Sequence, residues 1–170
     1  IALNAVGPVW YGNEVWLVIG GGALFAGFPK VYASMFSAMY LPFILFLVFL
    51  IFRAISIEFR SKEEMKWWRK LWDISYFVAS TMLAFLLGVV VGNILQGFDM
   101  DENGQVYISL WQALNPFAIL VGVMVVALFA MHGGIYLTMK TEGRLFAKIA
   151  NLVKSAVIAY IIFFAIATVY

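Results

Sequence analysis

Cysteine is absent from the 170 residues, so neither disulfides nor thiolate-held clusters can form, and the redox compartment is left open. Charge is scarce too. Charged residues make up 12% of the chain and hydrophobic ones 65%, against about 25% and about 45–50% in soluble domains. That balance excludes an ordinary water-soluble domain. A formal net charge of +2 gives no reason to expect nucleic acid as a partner. Strands alternating polar and apolar residues, which an outer-membrane barrel would need, are missing, as are internal repeats and low-complexity tracts. The chain starts Ile1-Ala2-Leu3-Asn4 without an initiator Met or a charged leader, so no signal peptide is expected. With Tyr170 inside an apolar run, the sequence reads as a piece of a larger polytopic protein.

What is abundant is long apolar runs. Residues 33–52, 74–95, 117–137 and 149–170 each supply roughly 20 residues, enough to cross a hydrocarbon core of roughly 30 Å at about 1.5 Å per residue. Residues 15–28 are a shorter run, and 12–30 could just cross. Lipid cannot satisfy backbone polar groups, so each run is expected to be α-helical. The expected fold is all-α: a polytopic bundle in one partial transmembrane domain over 1–170, with five membrane helices near 14–30, 31–52, 72–95, 116–139 and 146–170.

The charges that do occur mark the loops. Residues 53–70 carry Arg53, Arg60, Lys62, Lys66, Arg69 and Lys70, and residues 140–148 carry Lys140, Arg144 and Lys148. The connection between them, 96–116, has no Lys or Arg but holds Asp99, Asp101 and Glu102. By the positive-inside rule the basic loops face the cytoplasm and the acidic loop faces out. Trp67, Trp68 and Trp72 flank the third helix, and Tyr107 and Trp111 the fourth, as interfacial belts do.

The chemistry is expected in Gly7-Pro8-Val9-Trp10-Tyr11-Gly12-Asn13-Glu14-Val15-Trp16. Glu14 would sit at the cytoplasmic mouth of the first helix. It could cap that helix against its dipole, or face the bundle interior as a proton-relay acid, which is what intramembrane carboxylates usually mark. Tyr11, three residues earlier, shares its face. Trp10 and Trp16 would shield the pair, and desolvation favours a protonated carboxyl.

Other candidates have plainer readings. Gly20-Gly21-Gly22 with Ala23, Ala26 and Gly27 is a small-residue surface suited to close helix packing, with a cofactor tail along it as the alternative. His132 is the single histidine. Bis-histidine haem ligation and metal centres of three or four ligands are beyond it, so a hydrogen-bonded helix-packing role is expected. Asp99-Met100-Asp101-Glu102-Asn103-Gly104 matches the first half of a calcium loop, but Leu110 stands where the bidentate Glu belongs. A solvated acidic turn is the better reading. Asn93 and Gln96 close the third helix, and Asn115-Pro116 forms an N-cap for the fourth.

Taken together the motifs resemble subunit II of cytochrome bd-type quinol oxidases. The carriers are Gly-Pro-Val-Trp-x-Gly-Asn-Glu-Val-Trp-Leu at 7–17, Phe-Arg-x-x-x-x-Glu-Phe-Arg at 52–60, Gly-Asn-x-x-Gln-Gly at 92–97, Leu-Asn-Pro-Phe at 114–117 and His-Gly-x-x-Tyr-Leu-x-x-Lys-Thr-Glu-Gly at 132–143. The resemblance covers about half of the family's usual length. It implies a multi-pass subunit of a bacterial or archaeal cytoplasmic membrane, paired with a larger subunit I that bears haem b and haem d. The complex would draw quinol from the membrane pool, reduce oxygen to water and build a proton gradient. Subunit II would support assembly, and in some members deliver protons or hold a structural quinone. No haem, metal or catalytic residue is assigned to this chain. The family commonly has Asp at position 11, in a motif linked to proton delivery. Tyr11 replaces it here, and a phenol with pKa near 10 stays neutral at pH 7. Glu14 is therefore expected to take the proton-accepting role, with Tyr11 only hydrogen-bonding. The alternatives are a structural partner without a proton route and a secondary transporter. Few internal charges and no visible repeat argue against the transporter.

Overall fold

A computed structural model describes residues 2–98, 106 and 108–170. Its helices are α1 (Ala2–Gly27), α2 (Pro29–Ala38), α3 (Tyr40–Phe59), α4 (Lys66–Gln96), α5 (Leu110–Ala113), α6 (Pro116–Thr138) and α7 (Gly143–Val169). The all-α helical class follows from the apolar composition, because only a helix satisfies its own backbone where water is absent. The calcium-like stretch 99–104 and Tyr107 lie outside the described residues.

Four helices among the described residues, α3, α4, α6 and α7, are long and apolar enough to cross a membrane. The expected count of five is corrected by the first segment. With 26 residues α1 is long enough, but Gly12, Asn13, Glu14 and Gly20-Gly21-Gly22 dilute its apolar content. It also begins at Ala2 rather than near 14, running through Pro8. A proline removes one ladder bond, which a long helix tolerates when the rest of the ladder is intact.

The span expected over 31–52 is divided. Met39 (φ −100°, ψ 25°) separates α2 from α3. Pro42 is the physical cause: it has no N–H to offer the Ala38 carbonyl, and its ring crowds that carbonyl. Pro29 separates α1 from α2 in the same way, sitting in the first turn of α2. Further along, α4 begins at Lys66, so Trp67, Trp68 and Trp72 are inside it rather than ahead of it. It closes at Gln96 with Gly97 at φ +84°, a left-handed conformation that suits glycine. Asn115 caps α6 as the sequence indicated, its side chain accepting from the Ala118 N–H at 2.7 Å, with Pro116 in the first turn.

α4 packs against α3 on one side and α6 on the other, and α6 in turn against α7. The core is built from small residues, Ala79, Ala84, Ala118 and Val121 among them. A Cβ added to Gly92 would meet the Ala118 Cα at 2.8 Å, and one on Gly134 the Val153 Cγ2 at 2.6 Å. Lipid tails are as apolar as leucine, so packing of this kind, not hydrophobic exclusion, holds such helices together. Between α3 and α4 the Ser56 hydroxyl donates to the Phe52 carbonyl at 2.6 Å and lies 2.9 Å from Ser75 Oγ.

Candidate functional site

α1 touches the bundle through a few side chains at its N-terminal half. Trp10 is buried, with 5% of its surface exposed. The Arg53 guanidinium of α3 lies over its ring at 4.8 Å from the centroid, and 5.9 Å from the ring centroid of Tyr76 on α4. Next along, Tyr11 is exposed and its hydroxyl donates to the Glu58 carboxylate near the end of α3. Tyr136 of α6 donates to the Ala5 carbonyl at 3.2 Å.

Glu14 is half-buried, between exposed Asn13 and Val15. It lies near the middle of α1 and not at a helix mouth, because the helix starts twelve residues before it. A capping role is therefore closed to it. Glu14 follows Trp10 by four residues and so shares its face. Of the two tryptophans expected to shield the pair, only Trp10 packs inward. Trp16 is 70% exposed, half a turn away from that face. Gly12 has open space around it.

Sequence reasoning missed two members of this group. Arg53 was counted as a loop cation, and Glu58 was passed over, although both belong to the 52–60 motif. Arg53 lies inside α3, and its Nε is buried without a hydrogen-bond partner. Beside them the α3–α4 rim carries an ion pair: Arg60 Nε and Nη2 donate to the two Asp73 carboxylate oxygens at 2.5 and 3.2 Å. The bond to Asp73 pushes the Arg60 guanidinium above its already high range. Trp68 Nε1 closes the rim by donating to the Phe59 carbonyl at 2.8 Å.

A second feature is an apolar crevice of about 810 Å³, lined by Gly20, Gly21 and Gly22 of α1, Phe36 of α2, Phe43 of α3 and Leu86 of α4, among others. The small-residue surface thus lines a crevice; nothing among the described residues stands within 4 Å of a Cβ on any of the three glycines. Close helix approach is carried instead by Gly88, Gly92, Gly122 and Gly134.

Asn93 is buried at the opposite end of α4. Its Nδ2 donates to the Val89 and Ala113 carbonyls, each at 2.8 Å, and its Oδ1 accepts from Asn115 Nδ2 at 3.1 Å. His132 was expected to pack hydrogen-bonded between helices. It is exposed on α6, because Gly134, about half a turn round the helix, is the position that faces α7. Among the described residues there is no group of three or more metal-ligating side chains, and this single imidazole supplies at most one axial ligand.

Comparison with known proteins bears on the same residues. The family model described as cytochrome bd terminal oxidase subunit II matches residues 1–170. Cytochrome bd-I ubiquinol oxidase subunit 2 of Escherichia coli (strain K12) is 40% identical over 174 residues, covering 100% of this chain and 46% of that protein. Cytochrome bd ubiquinol oxidase subunit 2 of Bacillus subtilis (strain 168) is 36% identical over 167 residues, 94% of this chain and 49% of the relative. A probable cytochrome oxidase subunit 2 of Haemophilus influenzae is 41% identical over 149 residues, 85% and 39% of the two chains. The chain spans about half the length of the curated relatives it matches.

Proposed function

The chain belongs to the cytochrome bd terminal oxidase subunit II family, and from this membership we propose that it is part of the haem-free subunit of a bd-type quinol oxidase. Its partner is the larger subunit I, in a bacterial or archaeal cytoplasmic membrane. Haems b and d of that partner supply the oxygen-reducing chemistry, with electrons from quinol. The residues of this chain bind the partner, exclude water and hold protons on their way in.

The Tyr11–Glu58 contact, with Glu14 one turn further along α1, carries this reading for the chain's own part. The stretches 53–70 and 140–148 are basic and lie on the cytoplasmic side; the acidic connection 96–116 faces out. Glu58 lies next to the basic rim at the end of α3, so its carboxylate stands where cytoplasmic protons arrive. Tyr11 ties α1 to that carboxylate by its hydroxyl, and its phenol stays neutral at pH 7. Glu14, drawn inward beside Trp10, is the group that accepts the proton. Withdrawal from water favours the protonated form of a carboxyl, which suits a group that takes up and passes on a proton.

The crevice beside Gly20-Gly21-Gly22 supports a second task, holding the isoprenoid tail of a structural quinone. Its lining is apolar. Tyr11, where the family commonly has Asp, favours the other reading of the site, a structural partner whose proton path lies wholly in subunit I.

The deciding experiment is Glu14→Gln in the full-length subunit, assembled with subunit I. Turnover and cytoplasmic proton uptake fall by about tenfold or more, as loss of a proton-transfer group does, while the haem spectrum is unchanged. Wild-type turnover and uptake in that variant would sink the proton role and leave the structural one.

A further inference from the structure

Arg53 is a cation inside an apolar helix, with no anion in contact among the described residues. Among the described residues the ion pair found is Arg60 with Asp73, and Arg53 Nε is buried without a partner. Charges in such positions are normally paired. Here two aromatic faces stand in for an anion, Trp10 at 4.8 Å and Tyr76 at 5.9 Å from the guanidinium carbon.

An anion is close by. Trp10 and Glu14 are four residues apart on α1, stacked on one face. The Glu14 carboxylate is therefore one helical turn from the ring that Arg53 covers. The other charged or titratable groups around the site have partners of their own. On α1 and α3, Tyr11 is bonded to Glu58; on α4, Asp73 is held by Arg60, and Tyr76 lies under the Arg53 cation; on α6, the Tyr136 hydroxyl is given to Ala5.

We propose that Arg53 is the movable counter-ion of Glu14, resting on Trp10 and Tyr76 while Glu14 carries a proton and turning to the carboxylate when that proton leaves. The inference rests on the proton-accepting reading of Glu14 and names the residue that controls it. Cation–π attraction is soft and weakly directional. A charge-assisted pair with carboxylate is stronger and uses the planar fork, including the Nε hydrogen now unused. It exists only when Glu14 is ionised, so each proton passed toward subunit I is matched by a shift of positive charge one turn along α1. Arg53 is thus a positioning residue.

The test uses the full-length, assembled oxidase and follows the infrared carbonyl band of protonated Glu14, identified by its loss in Glu14→Gln. In Arg53→Gln the pH midpoint of that band rises by about one unit or more, a tenfold gain in proton affinity, because the ionised form has lost its cation. In Arg53→Lys, which keeps the charge but not the fork, the rise is smaller, about half a unit. A midpoint unmoved in Arg53→Gln overturns the inference. Should Arg53→Gln fail to assemble, Arg53→Lys decides alone, and an unmoved midpoint there overturns it equally. Loss of turnover in Glu14→Gln with unmoved midpoints would spare the proton role and remove only the counter-ion. Shifted midpoints with full turnover in Glu14→Gln would do the reverse.

Discussion

Gly88 of α4 lies so close to Gly122 of α6 that a Cβ on Gly88 would stand 2.6 Å from the Gly122 Cα and 2.8 Å from the Val121 carbonyl oxygen. Both obstacles are backbone, so no rotamer change can relieve the clash. Gly88→Ala is expected to force α4 and α6 apart and destabilise the bundle by about 1–3 kcal/mol, the usual cost of overfilling a close-packed contact. Gly20→Ala, with nothing within 4 Å of its Cβ, is the matched comparison and should cost far less. Thermal unfolding of the two variants in detergent separates them; equal melting temperatures would mean that the α4–α6 crossing is not a stability determinant.

Capping and bridging meet in Asn115, whose Oδ1 accepts from Ala118 N–H at 2.7 Å while its Nδ2 donates to Asn93 Oδ1 at 3.1 Å. Asn115→Asp keeps the cap but turns the donor into an acceptor, aimed at an Asn93 oxygen whose own amide is committed to Val89 and Ala113. Aspartate is ordinarily as good an N-cap as asparagine. Here it should cost about 1–2 kcal/mol, close to the cost of Asn115→Ala. Stability of Asn115→Asp matching wild type would show that the Asn93 link carries nothing.

How much of this was readable beforehand depended on distance along the chain. The Asn115-Pro116 cap and the four apolar spans are local signals, fixed by a side chain reaching its own first turn and by runs of residues. The two breaks are local as well: Pro29 and Pro42 each withhold one donor, and the apolar run hid that from a reading based on hydropathy. Gly88 and Gly92 carry the small-xxx-small spacing that marks helix contacts, but Gly20-Gly21-Gly22 is the more conspicuous run, and among the described residues nothing comes within 4 Å of a Cβ there. Tyr11 and Glu58 are 47 positions apart. Only the fold brings α1 across the end of α3, so their pairing had no signature beyond two motifs whose contact was unknown. Arg53 reads as a loop cation in the sequence because helix α3 extends further than its apolar run.

The crevice beside the triple glycine has room where a helix contact was expected. A Cβ at position 21 has nothing within 4 Å and faces the crevice, so Gly21→Leu should leave thermal stability near wild type. Quinone retention is expected to fall about tenfold, in keeping with the cost of overfilling an apolar site. Quinone extracted per haem from the purified complex reports the outcome. Unchanged retention would exclude the crevice as the place where a quinone tail lies.

Tyr11→Phe distinguishes a residue that ties α1 in place from one that handles the proton. The ring, edge-on to Trp10 at 6.3 Å, is preserved, and only the bond to Glu58 is lost. A hydrogen bond exposed to solvent contributes little net stability, so only a small loss of thermal stability is expected. Amide exchange should quicken around Trp10–Asn13 as α1 lifts from the end of α3. Turnover should fall by less than in Glu14→Gln, since Glu58 and Glu14 both remain to hold protons. A loss of proton uptake as deep as that of Glu14→Gln, with exchange unchanged, would assign the relay to the phenol itself and remove the division of labour drawn between the two residues.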